Sequence, residues 1–196
     1  MSVRRLGVFG GTFDPPHLGH LAIAEWARDA LRLDRVLFVP AGQPPHKRGR
    51  RLTPVRHRLA MIRLAVRGNR AFQVSTWELD RRGLSFTVDT LEHLARPRGL
   101  ELYLLVGADS LDDFRTWKRP EAILALARLA VAGRPGSGSR GERWAKGTGR
   151  VDWIGNPEVG VSSTLVRDRV RGGQSCRYLV PDPVWRYVEK HRLYRS

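Results

Sequence analysis

The sequence predicts a doubly wound α/β fold with a parallel central sheet and a small helical segment at its C-terminal end. Short apolar runs alternate along the chain with longer segments whose apolar residues recur at helical spacing. The run Leu102–Val106 is apolar throughout, which is typical of a strand that helices cover on both faces. A glycine-rich turn separates the first apolar run from the first helical segment. Parallel strands joined through helices cross over with a right hand.

The individual elements follow from local patterns. We expect strands at residues 3–9, 36–39, 72–77, 102–106, 129–132 and 151–154, and helices at 20–31, 53–67, 87–94, 120–127, 163–171 and 183–191. Thr53 and Thr87 are expected to cap their helices, because a hydroxyl can accept a free N–H of the first turn. Residues 134–150 are rich in Gly and Ser and are expected to be mobile. With no internal repeat, residues 1–196 are expected to form a single domain.

Composition narrows the functions that the chain can have. Its formal net charge is +16, and all but four of its 35 basic residues are arginine. Such a balance suits anionic partners, although scattered arginines also suit a solvated surface. Cys176 is the only cysteine, which excludes an intrachain disulfide and a cysteine-based zinc site. No apolar run is long enough to span a membrane, and the N-terminus lacks a signal-peptide pattern, so we expect a cytoplasmic protein without a membrane partner.

The turn after the first strand reads GGTFDPPHLGH from Gly10 to His20. It is neither a P-loop nor a dinucleotide-binding fingerprint. Backbone N–H groups of such a turn, together with the positive end of the following helix, form a site for a phosphate group. His17 and His20 add donors beside it, and Gly19 leaves the space between them without a side chain.

This turn, joined to a second block, resembles the nucleotidyltransferase superfamily, which has a Rossmann-like fold. The second block reads VSSTLVR over residues 161–167. The resemblance implies in-line transfer of a nucleotidyl group from a nucleoside triphosphate. A phosphate nucleophile is already an anion, so catalysis reduces to positioning and to neutralising charge.

Further blocks resemble the bacterial nicotinate mononucleotide adenylyltransferase family over nearly the whole chain. They read PPHK at 44–47, ELDR at 78–81, SFTVDTL at 85–91, GADS at 107–110 and, near the end, LVPDPV at 179–184 and HRLYR at 191–195. The resemblance implies that ATP and nicotinate mononucleotide are converted to deamido-NAD and pyrophosphate, with Mg²⁺ accompanying ATP. No metal held by the protein itself is expected.

The resemblance also assigns roles to individual residues. The catalytic donors would be His17, His20, Lys47 and Arg167. The nucleotide would lie against Gly10, Gly11, Thr12, Phe13, Gly107, Asp109, Arg134, Ser162, Ser163 and Thr164. Thr87 and Trp117 would select the acceptor base. Considered alone, Asp109 and Ser162 could be helix caps, and Trp117 could be a core residue.

Two alternatives stay open at this point. One is a related transferase whose acceptor is nicotinamide mononucleotide or, more remotely, pantetheine phosphate. The other is a nucleic-acid-binding module with the same fold, which the charge of +16 suggests. The chain lacks interleaved basic and aromatic residues, so we expect no nucleic-acid partner. The sequence does not determine the oligomeric state and is compatible with a homo-oligomer.

Overall fold

The computed structural model describes residues 4–45, 52–96, 99–133 and 140–195. The six strands are β1 (Arg5–Gly11), β2 (Arg35–Pro40), β3 (Phe72–Val74), β4 (Glu101–Gly107), β5 (Ala127–Ala132) and β6 (Val151–Trp153). The helices are α1 (Leu18–Ala30), α2 (Val55–Val66), α3 (Thr87–Leu94), α4 (Ala108–Asp113), α5 (Pro120–Leu126), α6 (Arg140–Ala145), α7 (Ser163–Arg171) and α8 (Asp182–Lys190). A short 3-10 helix, Phe114–Thr116, follows α4.

The six strands form one parallel sheet in the order β3-β2-β1-β4-β5-β6. The chain moves outwards from β1 to β3, returns to the centre at β4 and then moves outwards in the opposite direction. The order therefore reverses between β1 and β4, which is where ligands bind in sheets of this kind. The predicted fold class is confirmed.

Helices cover both faces of the sheet. The helices α1, α2, α7 and α8 pack on one face, and α3, α4, α5 and α6 pack on the other. Residues of β4 alternate between the two cores: Tyr103 and Leu105 join the first, and Leu104 and Val106 join the second. This alternation follows from the period of two along a strand, and it explains why the run is apolar throughout.

Three local predictions are wrong. Pro54 rather than Thr53 precedes α2, and the Thr53 N–H instead donates to Oδ2 of Asp14. Thr87 is the first residue of α3, and Phe86 occupies the cap position. The predicted strand at 72–77 ends at Val74.

The segment expected to be mobile contains a helix. Within residues 134–150, α6 forms and packs against α4, and Trp144 stacks on Phe114 with ring centroids 5.3 Å apart. Tertiary packing of a large aromatic side chain thus outweighs a glycine-rich local sequence. No helix in the described part of the chain is both long and apolar enough to cross a membrane.

Candidate active site

A cleft opens where the sheet order reverses. β1 and β4 are paired only as far as Val8 and Leu104. β1 continues beside β2 to Gly11, and β4 continues beside β5 to Gly107. The two central strands therefore separate towards their carboxyl ends and leave a cleft of about 610 Å³ between them.

Several of the sequence blocks meet at this cleft. Its lining includes Gly10, Gly11, Thr12, His17, His20, Pro44, Pro45, Gly107 and Ser163, with Thr87 and Trp117 also contributing. A Cβ at Gly10 or at Gly107 would meet no atom within 4 Å, so these two positions leave the cleft open to a ligand. These predicted residues therefore share one cleft, and their roles in it stay predictions.

The rings of His17 and His20 lie close together, with their planes tilted by 32°, at the start of α1. Their ring centroids are 3.7 Å apart, and the N–H of His17 donates to Nδ1 of His20 at 3.1 Å. Since Nδ1 of His20 accepts, its Nε2 is the protonated, donating nitrogen. Burial lowers the pKa of His17 to about 4, so its imidazole is neutral at physiological pH. The pair supplies hydrogen bonds rather than fixed positive charge.

The ring of His17 is nearly buried, and its Nδ1 has no hydrogen-bond partner within the described part of the chain. Gly19 makes room for this ring, because a Cβ there would lie 3.0 Å from Nδ1. The sequence assigned Gly19 to an open space for a ligand. The structure shows that it accommodates the neighbouring histidine.

A buried arginine anchors the loop from Gly10 to His20, which we call the motif loop. Arg58, 1% exposed, donates to the carbonyl oxygens of Thr12 and Ala41 at 3.0 and 2.8 Å, and its Nε donates to that of Thr53. The carbonyl of Gly11 accepts from the N–H of Ala41 on the β2 side. The C=O of Gly11 and the N–H of Thr12 belong to the same trans peptide and therefore point in opposite directions. The N–H of Thr12 thus faces the β4 side, where the cleft lies.

Asp14 is a second fixed point of the loop. Its buried carboxylate accepts from the Tyr194 hydroxyl at 2.7 Å and from the Thr53 N–H at 3.0 Å. Burial, and then the nearby charge of Asp14, raises the pKa of Tyr194. Both carboxylate oxygens are therefore directed into the protein, away from the cleft.

The start of α7 is attached to the same loop. Ser162 caps the helix by accepting from the Leu165 N–H. The Ser163 hydroxyl donates to the carbonyl of Pro15 at 2.8 Å, and Arg167 donates to that of Asp14 at 2.7 Å. A second Arg167 donor contacts the Thr164 hydroxyl. The two sequence blocks, far apart in the chain, are thus adjacent in space, as predicted.

The opposite wall carries the residues predicted to select the acceptor. Thr87 begins α3, whose first N–H groups lack partners within the helix. Trp117 is half-buried and its ring packs 5.4 Å from that of Phe114. Glu78 also lines this wall, and its buried carboxylate accepts from the Thr90 hydroxyl. Burial raises the pKa of Glu78.

Some predicted residues that the structure describes, such as Phe13 and Asp109, are not part of the cleft lining. The side chain of Phe13 is 1% exposed and packs against Phe9, so it can meet a nucleotide only through its backbone. Asp109 is exposed in the first turn of α4, whereas its neighbours Gly107 and Ser110 line the cleft. Lys47 and Arg134 lie outside the described residues. Their predicted roles stay predictions.

Arg58, Tyr194 and Glu78 were not among the predicted site residues. A signal for Arg58 was available, since it occupies the apolar stripe of α2 with Met61, Ile62 and Ala65, where a charge needs partners. Tyr194 had no comparable signal, because its role depends on a contact across nearly the whole chain.

Among the described residues there is no cluster of three or more His, Cys, Asp or Glu side chains that could hold a metal ion. The carboxylates of Glu78, which lines the cleft, and of Asp14, in the loop beside it, are already hydrogen-bonded within the protein. This donor set fits an ion that arrives already bound to phosphate oxygens and water, as Mg²⁺ commonly does.

Comparison with known proteins first identifies the broad class of protein to which the chain belongs. A family model described as cytidylyltransferase-like matches residues 8–169. A solved structure of the Plasmodium falciparum nicotinic acid mononucleotide adenylyltransferase, complexed with NaAD, superposes with a TM-score of 0.80 and covers 98% of each chain. Its sequence identity is 16%, so it supports the fold. Fold, cleft and family model together define a nucleotidyltransferase.

Relatives of higher sequence identity narrow this class to one family. A probable nicotinate-nucleotide adenylyltransferase of Roseiflexus sp. is 48% identical over the full length of both chains. Another, from Thermomicrobium roseum, is 46% identical and aligns with 98% of this chain and 92% of its own. The chain belongs to the nicotinate-nucleotide adenylyltransferase family.

Proposed function

We propose that this protein transfers the adenylyl group of ATP to nicotinate mononucleotide, forming deamido-NAD and pyrophosphate in NAD biosynthesis. The observation that carries the proposal is the cleft between β1 and β4. One wall presents the His17–His20 pair and the start of α7, which suit a triphosphate. The other presents Thr87 and Trp117, which suit a flat ring with a negative substituent.

The reaction needs no proton transfer from the nucleophile, because a phosphate oxygen is already an anion. A phosphate oxygen of nicotinate mononucleotide attacks the α-phosphorus of ATP. A new P–O bond forms, the bond from the α-phosphorus to the bridging oxygen breaks, and pyrophosphate leaves. The reaction therefore requires no nucleophile or general base from the protein, and the donors of the cleft suit the charge that develops on the phosphorus.

Each element of the first wall has a role in this step. The N–H of Thr12 and the donating nitrogens of the two histidines bind the triphosphate. Neutral imidazoles can donate without repelling a cation that accompanies ATP. Ser163 and Arg167 tie the motif loop to α7, so the helix start and the loop approach the phosphates together. Lys47 and Arg134 are further donors in this proposal, and Asp109 contacts the ribose.

Mg²⁺ enters this proposal as part of the ATP substrate. When bound, it neutralises charge on the phosphate oxygens. The cleft residues then orient the loaded nucleotide, and no described carboxylate is needed as a dedicated ligand.

On the second wall, the indole of Trp117 stacks on the pyridine ring, and the N–H groups at the start of α3 donate hydrogen bonds to the carboxylate of the acceptor. The acceptor phosphate is then directed towards the ATP site along the cleft. A cytoplasmic location is expected for this activity.

The test is pyrophosphate release from ATP·Mg²⁺ with nicotinate mononucleotide, nicotinamide mononucleotide or phosphopantetheine offered separately. We expect strong preference for the first. Replacement of His17 or His20 by alanine should lower kcat by roughly 10²- to 10³-fold, the usual effect of removing one such donor. Turnover unchanged in both variants would contradict the proposed mechanism.

A further inference from the structure

We propose that the side chain of Lys118 sets the preference of this enzyme for an acidic acceptor ring over the corresponding amide. The inference rests on the proposed function and concerns the acceptor wall of the same cleft. The acid and the amide differ by one negative charge, so a nearby cation favours the acid alone.

Lys118 is placed to act on a ring held in the cleft. It follows Trp117 directly and lines the cleft together with Phe86 and Thr87. Its Nζ lies over the ring of Phe86, 4.3 Å from the centroid. This cation–π contact keeps the ammonium at the cleft wall instead of extending into solvent.

The charges around Lys118 leave a positive balance at this wall. Its Nζ lies 3.2 Å from Oδ1 of Asp89, and Arg81 Nη1 lies 3.8 Å from the other oxygen of the same carboxylate. Two cations therefore share one anion. The carboxylate of Glu78, which also lines this wall, is buried and accepts from the Thr90 hydroxyl, and its burial raises its pKa. The carboxylate of a bound acceptor would supply a second anion for these two cations.

The expected effect is moderate. The side chain of Lys118 is 42% exposed, and Asp89 cancels part of its field. Water and salt screen charges in such positions. Replacing Lys118 should therefore lower the ratio of kcat/KM for nicotinate mononucleotide to kcat/KM for nicotinamide mononucleotide by about fivefold.

The chain supplies a matched control. Arg119 is the next residue, carries the same charge and pairs with Glu92 at 2.8 Å, but it does not line the cleft. We would measure both acceptors with the wild type, Lys118→Gln, Arg119→Gln and Asp89→Asn. Lys118→Gln should lower the ratio, Asp89→Asn should raise it, and Arg119→Gln should leave it unchanged.

Opposite shifts in the ratio separate an electrostatic role from a structural one, since general damage to the wall would lower turnover of both acceptors alike. The effect of Lys118→Gln should also shrink as salt rises. If the wild type turns over nicotinate mononucleotide but Lys118→Gln leaves the ratio unchanged, this inference is overturned and the proposed function stands. A wild type that turns over neither mononucleotide overturns the proposed function and this inference with it.

Discussion

The hydroxyl of Tyr194 donates a 2.7 Å hydrogen bond to Oδ1 of Asp14, and so joins two residues 180 positions apart in the chain. Asp14 lies within the glycine- and histidine-containing loop that forms one wall of the cleft. Because burial raises the pKa of Tyr194, its hydroxyl stays protonated and remains a donor at physiological pH. The C-terminal segment therefore helps to position the loop at the opposite end of the sequence.

Removing this hydroxyl should destabilise the protein and impair ATP use. Tyr194→Phe leaves one oxygen of a buried carboxylate without its donor, which costs about 1–3 kcal/mol of unfolding free energy. We expect a lower midpoint in urea unfolding and a lower kcat/KM for ATP. Tyr178→Phe is the control, since Tyr178 is 75% exposed and its replacement should change stability by less than about 0.5 kcal/mol. Equal behaviour of the two variants would contradict a role for the Tyr194 contact.

Much of the fold could be predicted because local pattern and tertiary structure agree. The β4 run is apolar on both faces and the predicted α7 has the bounds that the structure shows, Ser163–Arg171. The two sequence blocks could be placed together because the family resemblance assigns both of them to the same nucleotide. Helix starts at α2 and α3 were predicted less well, since Thr53 binds Asp14 rather than its own helix.

The charge of Arg58 within an apolar stripe signals that it needs partners, but which groups these are could not be predicted, because they lie far away in the chain. Arg58 contacts the carbonyls of Thr12 and Ala41, and neither partner has a recognisable side-chain signal. The same is true of α6, which forms where Trp144 can stack on Phe114. Local sequence patterns therefore predict the residues that face the cleft better than the distant contacts that position those residues.

The buried imidazole of His17 should make stability fall in acid. Its pKa is about 4 in the folded protein and about 6.5 when exposed, so the unfolded chain binds the proton more tightly. The stabilisation is present above pH 6.5 and is lost as pH falls towards 4. Between pH 7.5 and 4.5 the wild type should lose about 2–3 kcal/mol more than His17→Gln does. Urea unfolding at both pH values measures this, and parallel pH curves for the two proteins would contradict it.

Gly19→Ala should impair turnover more than it impairs folding. The new Cβ would lie 3.0 Å from Nδ1 and 3.1 Å from Cε1 of His17, so the ring must move. The better helix propensity of alanine offsets part of the strain in α1. We expect kcat/KM for ATP to fall about tenfold, since displacing a catalytic group costs much more than its distance suggests, while the melting temperature changes little. Gly172→Ala is the control, because its Cβ would meet no atom closer than 3.4 Å. Unchanged turnover in Gly19→Ala would show that the ring position is not critical.

Replacement of Trp117 distinguishes a stacking platform from a core residue. Its indole lines the cleft and also packs on Phe114, so the structure permits either role. If the indole stacks on the acceptor ring, Trp117→Ala should raise KM for nicotinate mononucleotide about tenfold, as loss of one aromatic stack would. KM for ATP should change little, because ATP is proposed to bind the opposite wall. Trp26→Ala is the matched control, since Trp26 is 46% exposed on α1 and outside the cleft. A parallel rise in both KM values would instead identify Trp117 as a structural support.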